Sequence, residues 1–179
     1  MPEELVTQFK ETYNDSPAGK ICIVTMDNGE DYRKPNSFGL GGMASLNACM
    51  DRVEAEPDVK ALILTGKPFI FGAGADLTMV PEVKTRELAL EVAQTGHAAF
   101  KRIIDLPYPT VGAINGVALG GGLEIALACD YRTISPGAAA VGFPECFLGL
   151  IPGWGGTTLL PKLVGPEKAL QIIIHNALN

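Results

Sequence analysis

Histidine is scarce in this sequence of 179 residues, which has two, and tryptophan occurs once. Four cysteines, Cys22, Cys49, Cys129 and Cys146, stand apart among apolar neighbours, and none forms a CxxC pair. Zinc sites need Cys and His at short ligand spacing, so no metal site is expected. Each cysteine reads as a small buried hydrophobe. Positive charge is also in short supply: 14 Lys and Arg face 20 Asp and Glu, for a formal charge of −6. Contacts to a nucleic-acid backbone need clustered cations, so that partner is not expected. A smaller polyanion stays compatible, provided a few basic side chains and helix N-termini gather in one place. No apolar run approaches the ~20 residues of a membrane span. The opening, MPEELVTQFKETYND, is charged and lacks the apolar stretch of a signal peptide. The expectation is a cytoplasmic protein that does not enter a membrane.

What is present is an ordinary globular composition, 47% apolar and 19% charged, in a chain long enough for one core. Residues 1–19 are polar and are expected to form an irregular or partly helical lead-in. Residues 20–179 show no repeat and no low-complexity linker, and are read as one domain. Apolar, β-rich runs predict buried strands at 21–26, 59–65 and 110–114, with shorter ones at 131–134 and 139–143. Helical spacing of Leu46, Cys49, Met50 and Val53 predicts a helix over 43–54. A second helix is expected within 81–106, a third over 120–128 and a last one around 166–176. Segments 27–42 and 66–76 read as loops, Asn115-Gly116 as a turn, and the stretch from Glu145 to the last helix as loop. Strands alternating with helices imply crossover units, hence an α/β fold with a largely parallel sheet.

Two glycine-rich segments and two isolated carboxylates carry the chemical signal. Phe71-Gly72-Ala73-Gly74-Ala75-Asp76 follows a strand. Small residues there let the backbone approach a ligand and leave N–H groups free to point at it; a tight strand-to-helix turn is the plainer reading. In Asn115-Gly116-Val117-Ala118-Leu119-Gly120-Gly121-Gly122-Leu123-Glu124, three glycines open a helix. A helix N-terminus offers unsatisfied N–H donors and the positive end of the dipole, which suits a developing oxyanion. Glu124 falls one turn beyond Gly121 on the same face, inside an otherwise apolar helix start. It serves either that chemistry or simply the helix dipole. Glu145 is the one charge in the run Gly142-Phe143-Pro144-Glu145-Cys146-Phe147-Leu148-Gly149. If buried, it has the raised pKa of a general acid or base; if not, it is a surface loop residue.

The segment 69–76, the run PTVGAINGVALGGGLEIALACDYR and the run FPECFLGLIPGWGGTTLLPKLVG together resemble the crotonase family of enoyl-CoA hydratases and isomerases. The resemblance spans roughly residues 20–179. The loop NGEDYRKPNSFG and the phrase GKPFIFGAGADL are similar to the hydratase part of bacterial multifunctional fatty-acid oxidation proteins. It implies a crotonase-like (ClpP/crotonase) ββα spiral core. It also implies an oxyanion hole from the N–H groups of Ala75 and Gly121, and Glu124 and Glu145 as the catalytic pair. Coenzyme contacts fall at Ala73, Asp76 and Leu77 through the backbone, and at Lys34 from the early loop. The implied reaction is hydration of a 2-enoyl-CoA to a 3-hydroxyacyl-CoA, as in fatty-acid β-oxidation. Family isomerases of the Δ3-Δ2 type generally need only the second carboxylate, so the presence of both favours hydration. No separate cofactor is implied, since coenzyme A is part of the substrate. Implied partners are an acyl-CoA and further copies of the chain, as a trimer or a dimer of trimers.

Crotonases continue well beyond this point with helices that cover the acyl pocket and build the trimer, so the C-terminal helical part is expected to be mostly missing. A competing expectation from a different class is a remnant that binds acyl-CoA or partner subunits without turnover. Other enzyme motifs are absent. Gly39-Leu40-Gly41-Gly42-Met43-Ala44 fits GxGxxA but follows a polar loop and not a strand, and there is no phosphate-loop lysine motif and no GxSxG elbow. His97 and His175 sit in helical segments without a partner motif and read as ordinary helix residues.

Overall fold

The structure, a computed structural model, describes residues 5–175. The first four residues of the lead-in, and the tail from Asn176 on, lie outside the described residues. Eight strands and five α-helices follow in the order β1 (Gln8–Ser16), β2 (Gly19–Asp27), α1 (Leu40–Ala55), β3 (Val59–Gly66), β4 (Phe69–Gly72), α2 (Arg86–Ile104), β5 (Thr110–Ile114), β6 (Gly116–Leu119), α3 (Gly121–Leu127), β7 (Tyr131–Ile134), β8 (Val141–Gly142), α4 (Gly156–Val164) and α5 (Pro166–His175). Two 3-10 turns, Leu77–Glu82 and Glu145–Leu148, lie between them.

The lead-in is a strand and not an irregular or helical segment. β1 pairs antiparallel with β2 from Gln8↔Asp27 to Ser16↔Gly19, across the tight turn at Pro17-Ala18. It is polar because it is an edge strand, with Phe9, Glu11 and Tyr13 alternating toward the interior and the rest toward solvent. The larger sheet runs β1-β2-β3-β5-β7, and every pairing after the first is parallel. A second, three-stranded parallel sheet runs β4-β6-β8.

The second sheet exists because the chain turns a corner twice in the same way. β3 leads through Gly66 into β4, and β5 leads through Asn115 into β6. The two corners nest so closely that a Cβ on Gly66 would lie 2.1 Å from the Ile70 carbonyl oxygen, and one on Gly116 would lie 2.0 Å from Phe69. Only glycine fits there. The Asn115 amide ties the corners together: its Oδ1 accepts from Gly66 N–H at 3.1 Å, and its Nδ2 donates to the Gly66 and Lys67 carbonyls at 2.9 and 2.8 Å. The segments expected as a glycine loop and a turn are thus β4 and the start of β6.

α3 packs between the sheets, against β5 on one side and β4 and β6 on the other, so all seven of its residues are buried. α1 covers β1 and contacts α2. α2 begins only at Arg86, where the Thr85 side chain accepts from Leu88 N–H at 3.2 Å and caps it. The core is continuous from Phe9 to Trp154 through an aromatic line, Phe9–Phe38–Phe100–Trp154, with ring centroids 5.8, 6.4 and 5.7 Å apart. Each buried phenylalanine of that line contributes about 1.5–3 kcal/mol of apolar burial. Cys22, Cys49 and Cys129 are buried in the core, Cys146 is half-buried, and none is in a disulfide. Among the described residues no helix is long and apolar enough to cross a membrane.

Candidate active site

Residues that follow β4 and β6, residues of α2 and α3, and the stretch after β8 meet around a cavity of about 300 Å³. Six of the eight residues singled out from the sequence line it: Ala73, Ala75, Leu77, Gly121, Glu124 and Glu145. The remaining wall is apolar and includes Val80, Val92, Leu148, Ile151 and Trp154.

The two glycine-rich segments are in direct contact at the cavity floor. Gly74 has φ +83°, and a Cβ added to it would lie 2.8 Å from the Gly121 amide nitrogen. The next residue, Ala75, sits opposite Phe38 in an isolated parallel bridge. Phe38 N–H donates to the Gly74 carbonyl at 2.8 Å, and Asp76 N–H donates to the Phe38 carbonyl at 3.1 Å. That alternation turns the intervening Ala75 N–H away from Phe38. Gly121 is the first residue of α3, where an N–H has no intrahelical acceptor. Neither the Ala75 nor the Gly121 N–H donates to another described residue.

Glu124 is 2% exposed. Its Oε1 accepts from Trp154 N–H and from Gly156 N–H, both at 2.8 Å. Burial raises its pKa, and those two amide donors offset part of the rise. Glu145 opens the 3-10 turn Glu145–Leu148 and lines the same cavity. Its Oε2 is buried with no hydrogen-bond partner among the described residues. Burial pushes its pKa up to about 7, and the negative charge of Glu124 adds to the rise. Its Oε1 lies 2.7 Å from where a Cβ on Gly120 would stand, and Gly120 has φ +52°, so this position admits only glycine. No Lys, Arg or His lines the cavity to stabilise either charge.

Lys34 and Asp76 stand outside this cavity. Lys34 is exposed and pairs with Glu30 at 3.5 Å. The Asp76 carboxylate caps the turn Leu77–Glu82, accepting from Thr78 N–H and Oγ1 at 2.9 and 2.8 Å. Asp76 lines instead a neighbouring apolar cavity of about 210 Å³, which shares Ala75, Val80, Val92 and Trp154 with the first.

Trp154 was not singled out from the sequence, although its place as the one tryptophan, between glycines in Pro152-Gly153-Trp154-Gly155-Gly156, is a visible signal. Its backbone holds Glu124, and its indole Nε1–H donates to the Val92 carbonyl at 3.2 Å. Its ring covers Gly121 so closely that a Cβ there would lie 2.6 Å from Cε3.

The profile of the enoyl-CoA hydratase/isomerase family matches residues 17–177. The chain belongs to this family. Relatives include the fatty acid oxidation complex subunit alpha of Aliivibrio fischeri, 42% identical over 158 residues that make up 87% of this chain and 23% of the relative. A probable enoyl-CoA hydratase of Bacillus subtilis is 41% identical over 153 residues, 86% of this chain and 57% of the relative. This chain therefore spans about a quarter to somewhat over half the length of these relatives. Among solved structures, the enoyl-CoA hydratase from Bacillus anthracis superposes with a TM-score of 0.77 at 32% identity, covering 91% of this chain and 61% of that one. The enoyl-CoA hydratase from Thermoplasma volcanium superposes with a TM-score of 0.81 at 26% identity, covering 96% and 64%. The fold is crotonase-like, α/β with a mostly parallel sheet.

Proposed function

We propose that this chain adds water across the double bond of a 2-enoyl-CoA thioester, giving a 3-hydroxyacyl-CoA. One observation carries the reading: two carboxyl groups, one buried and one half-buried, line a single apolar cavity together with two unengaged amide donors. The Ala75 and Gly121 N–H groups form the oxyanion hole for the thioester oxygen. As water adds, its oxygen bonds to the β-carbon and the double-bond electrons move toward the α-carbon and that oxygen. Glu124, held by two amide donors, is the carboxylate that takes the proton from water. Glu145, whose Oε2 has no donor and whose pKa lies at about 7, is the carboxylic acid that protonates the α-carbon. Proton exchange with solvent then resets the pair. Coenzyme A enters and leaves as part of the substrate, so the scheme needs no separate cofactor. Ala73 and Leu77 border the thioester, and Lys34, on the exposed loop, reaches the coenzyme's phosphates.

Self-association belongs to the same reading. Phe147 is 75% exposed and Ile151 is 68% exposed beside the cavity, and Leu170 and Ile174 are exposed on α5. Exposed apolar side chains in such number mark surfaces that other proteins cover, here further copies of the chain in a trimer or a dimer of trimers.

The test is loss of the conjugated-thioester absorbance of crotonyl-CoA on adding the protein, with light scattering run in parallel. Turnover with formation of 3-hydroxybutyryl-CoA is the expected result. Binding of the thioester without turnover would leave a non-catalytic acyl-CoA binder, and a shifted double bond without net hydration would make the protein an isomerase.

A further inference from the structure

Among the described residues, one charged group in the interior lies outside the cavity and has no carboxylate in ion-pair contact. Lys67 is 5% exposed, at the corner between β3 and β4. Its ammonium donates to the Glu30, Asp31 and Lys34 carbonyls at 2.9, 3.0 and 2.6 Å, and to Asn28 Oδ1. Four neutral acceptors therefore surround three N–H bonds, and all four belong to the loop between β2 and α1. Residues 29–35 of that loop are exposed, so no buried side chain of their own fixes them. The loop is closed by Lys67, by the Asn28 side-chain amide donating to the Lys34 and Pro35 carbonyls at 3.1 and 2.9 Å, by Asn28 N–H donating to Asn36 Oδ1 and Lys34 N–H to the Asp31 carbonyl, both at 3.2 Å, and by the edge of Tyr32 against Phe69 at 6.1 Å.

The loop leads directly into the segment that aligns the cavity floor. Asn36 is fully buried, and its amide donates to the Met26 carbonyl at 2.9 Å. Its own carbonyl accepts from Ala73 N–H at 2.8 Å, and Phe38 then exchanges hydrogen bonds with Gly74 and Asp76 on either side of Ala75. A continuous run of hydrogen bonds thus connects the Lys67 ammonium to the peptide that presents the Ala75 N–H.

We propose that Lys67 is a positioning residue for the reaction: its buried ammonium gathers the carbonyls of loop 28–35 and thereby sets the register of 36–38 against 73–76, which aims the Ala75 N–H into the cavity. This rests on the functional reading above for its catalytic consequence, and on hydrogen bonds alone for its structural one. A buried cation caged by carbonyls is expensive to remove, because each orphaned acceptor loses its partner. A donor displaced by about 1 Å from its reacting geometry costs on the order of 10²-fold in rate.

The experiment compares wild type with Lys67→Met, which keeps the stem and removes the charge, and with Asn28→Ala, which deletes one acceptor and two donors of the same cage. Two quantities are read in each: kcat and KM for crotonyl-CoA, and hydrogen exchange at the Phe38 and Asp76 amides. The expected result for Lys67→Met is a fall in kcat of about 10- to 100-fold, KM changed by less than about threefold, and faster exchange at both amides. Asn28→Ala should move both readouts the same way by a smaller factor. Unchanged kcat and unchanged exchange in a folded Lys67→Met protein would overturn the proposal. If that variant does not fold, Asn28→Ala decides in its place by the same two readouts. If wild type itself shows no hydration, the functional reading fails, while exchange at Phe38 and Asp76 still decides whether Lys67 sets the register.

Discussion

Carboxylates meet opposite surroundings at the two ends of this molecule. On the β1–α1 side four of them are matched to a cation: Glu11 to Arg52, Glu56 to Lys20, and Asp51 and Glu54 to Arg102. The Arg52 guanidinium holds Glu11 down to about 2. Around the cavity, Glu124 and Glu145 have apolar walls and amide donors but no cation, and burial takes Glu145 up to about 7. The same side chain is held as an anion in one place and has its pKa pushed toward neutral pH in the other. Burial in an apolar wall makes the second, and the adjoining Arg52 guanidinium makes the first.

The strongest way to break the contrast is to replace the two cavity carboxyls. Glu145→Gln should lower the hydration rate by about 10²–10⁴-fold and abolish double-bond migration as well. Glu124→Gln should hurt hydration more than migration. Wild-type rates in either variant, measured on crotonyl-CoA and on a 3-enoyl-CoA, would remove that glutamate from the mechanism. A smaller but still large effect is expected at the floor. Gly121→Ala places a methyl group against the Trp154 ring. It should cost about 10²–10³ in kcat, the range for losing an oxyanion donor. A normal kcat in a Gly121→Ala enzyme whose hydrogen exchange shows the start of α3 displaced would exclude the Gly121 amide from the donor pair.

The gentlest test sharpens the comparison through stability. Glu145 has a raised pKa in the folded chain, so the native state holds a proton that the unfolded chain has released. Its contribution is therefore present below the ordinary 4.5 and is lost as pH rises to about 7. Glu11 has a lowered pKa, so its contribution is present above 4.5 and is lost as pH falls to about 2. Denaturant midpoints followed across pH should lose the upper slope in Glu145→Gln and the lower slope in Arg52→Ala. Arg52→Ala should cost less than about 1 kcal/mol at neutral pH, as a surface pair does, and leave kcat unchanged. Identical pH profiles in all three proteins would show that these two groups do not titrate as their surroundings imply.

Much of this was legible in the residues. The strands at 21–26, 59–65 and 110–114 and the helices over 43–54 and 120–128 are found within a few residues of their expected ends, because β-rich apolar runs and helical apolar spacing report burial directly. The six cavity-lining residues were legible through motif resemblance more than through composition. β1 was missed because an edge strand buries few side chains, and its Phe9, Glu11, Tyr13 alternation is diluted by charge. β4 and β6 were missed because they are four residues long and begin at nested glycine corners that read as turns. α4 carries Pro161 and two leading glycines, both loop signals, yet forms a helix against α3 and α5. Lys67 gives no sign of burial in sequence, since its acceptors are carbonyls that every residue possesses.

Trp154 joins several of these threads. It is the chain's sole indole, and it is at once a wall of the cavity, the cover over Gly121 and the backbone anchor of Glu124. Its ultraviolet emission therefore comes from one place in the molecule. A molecule settling into that hollow, or a change of charge on the glutamates around it, is reported by native fluorescence with no label attached.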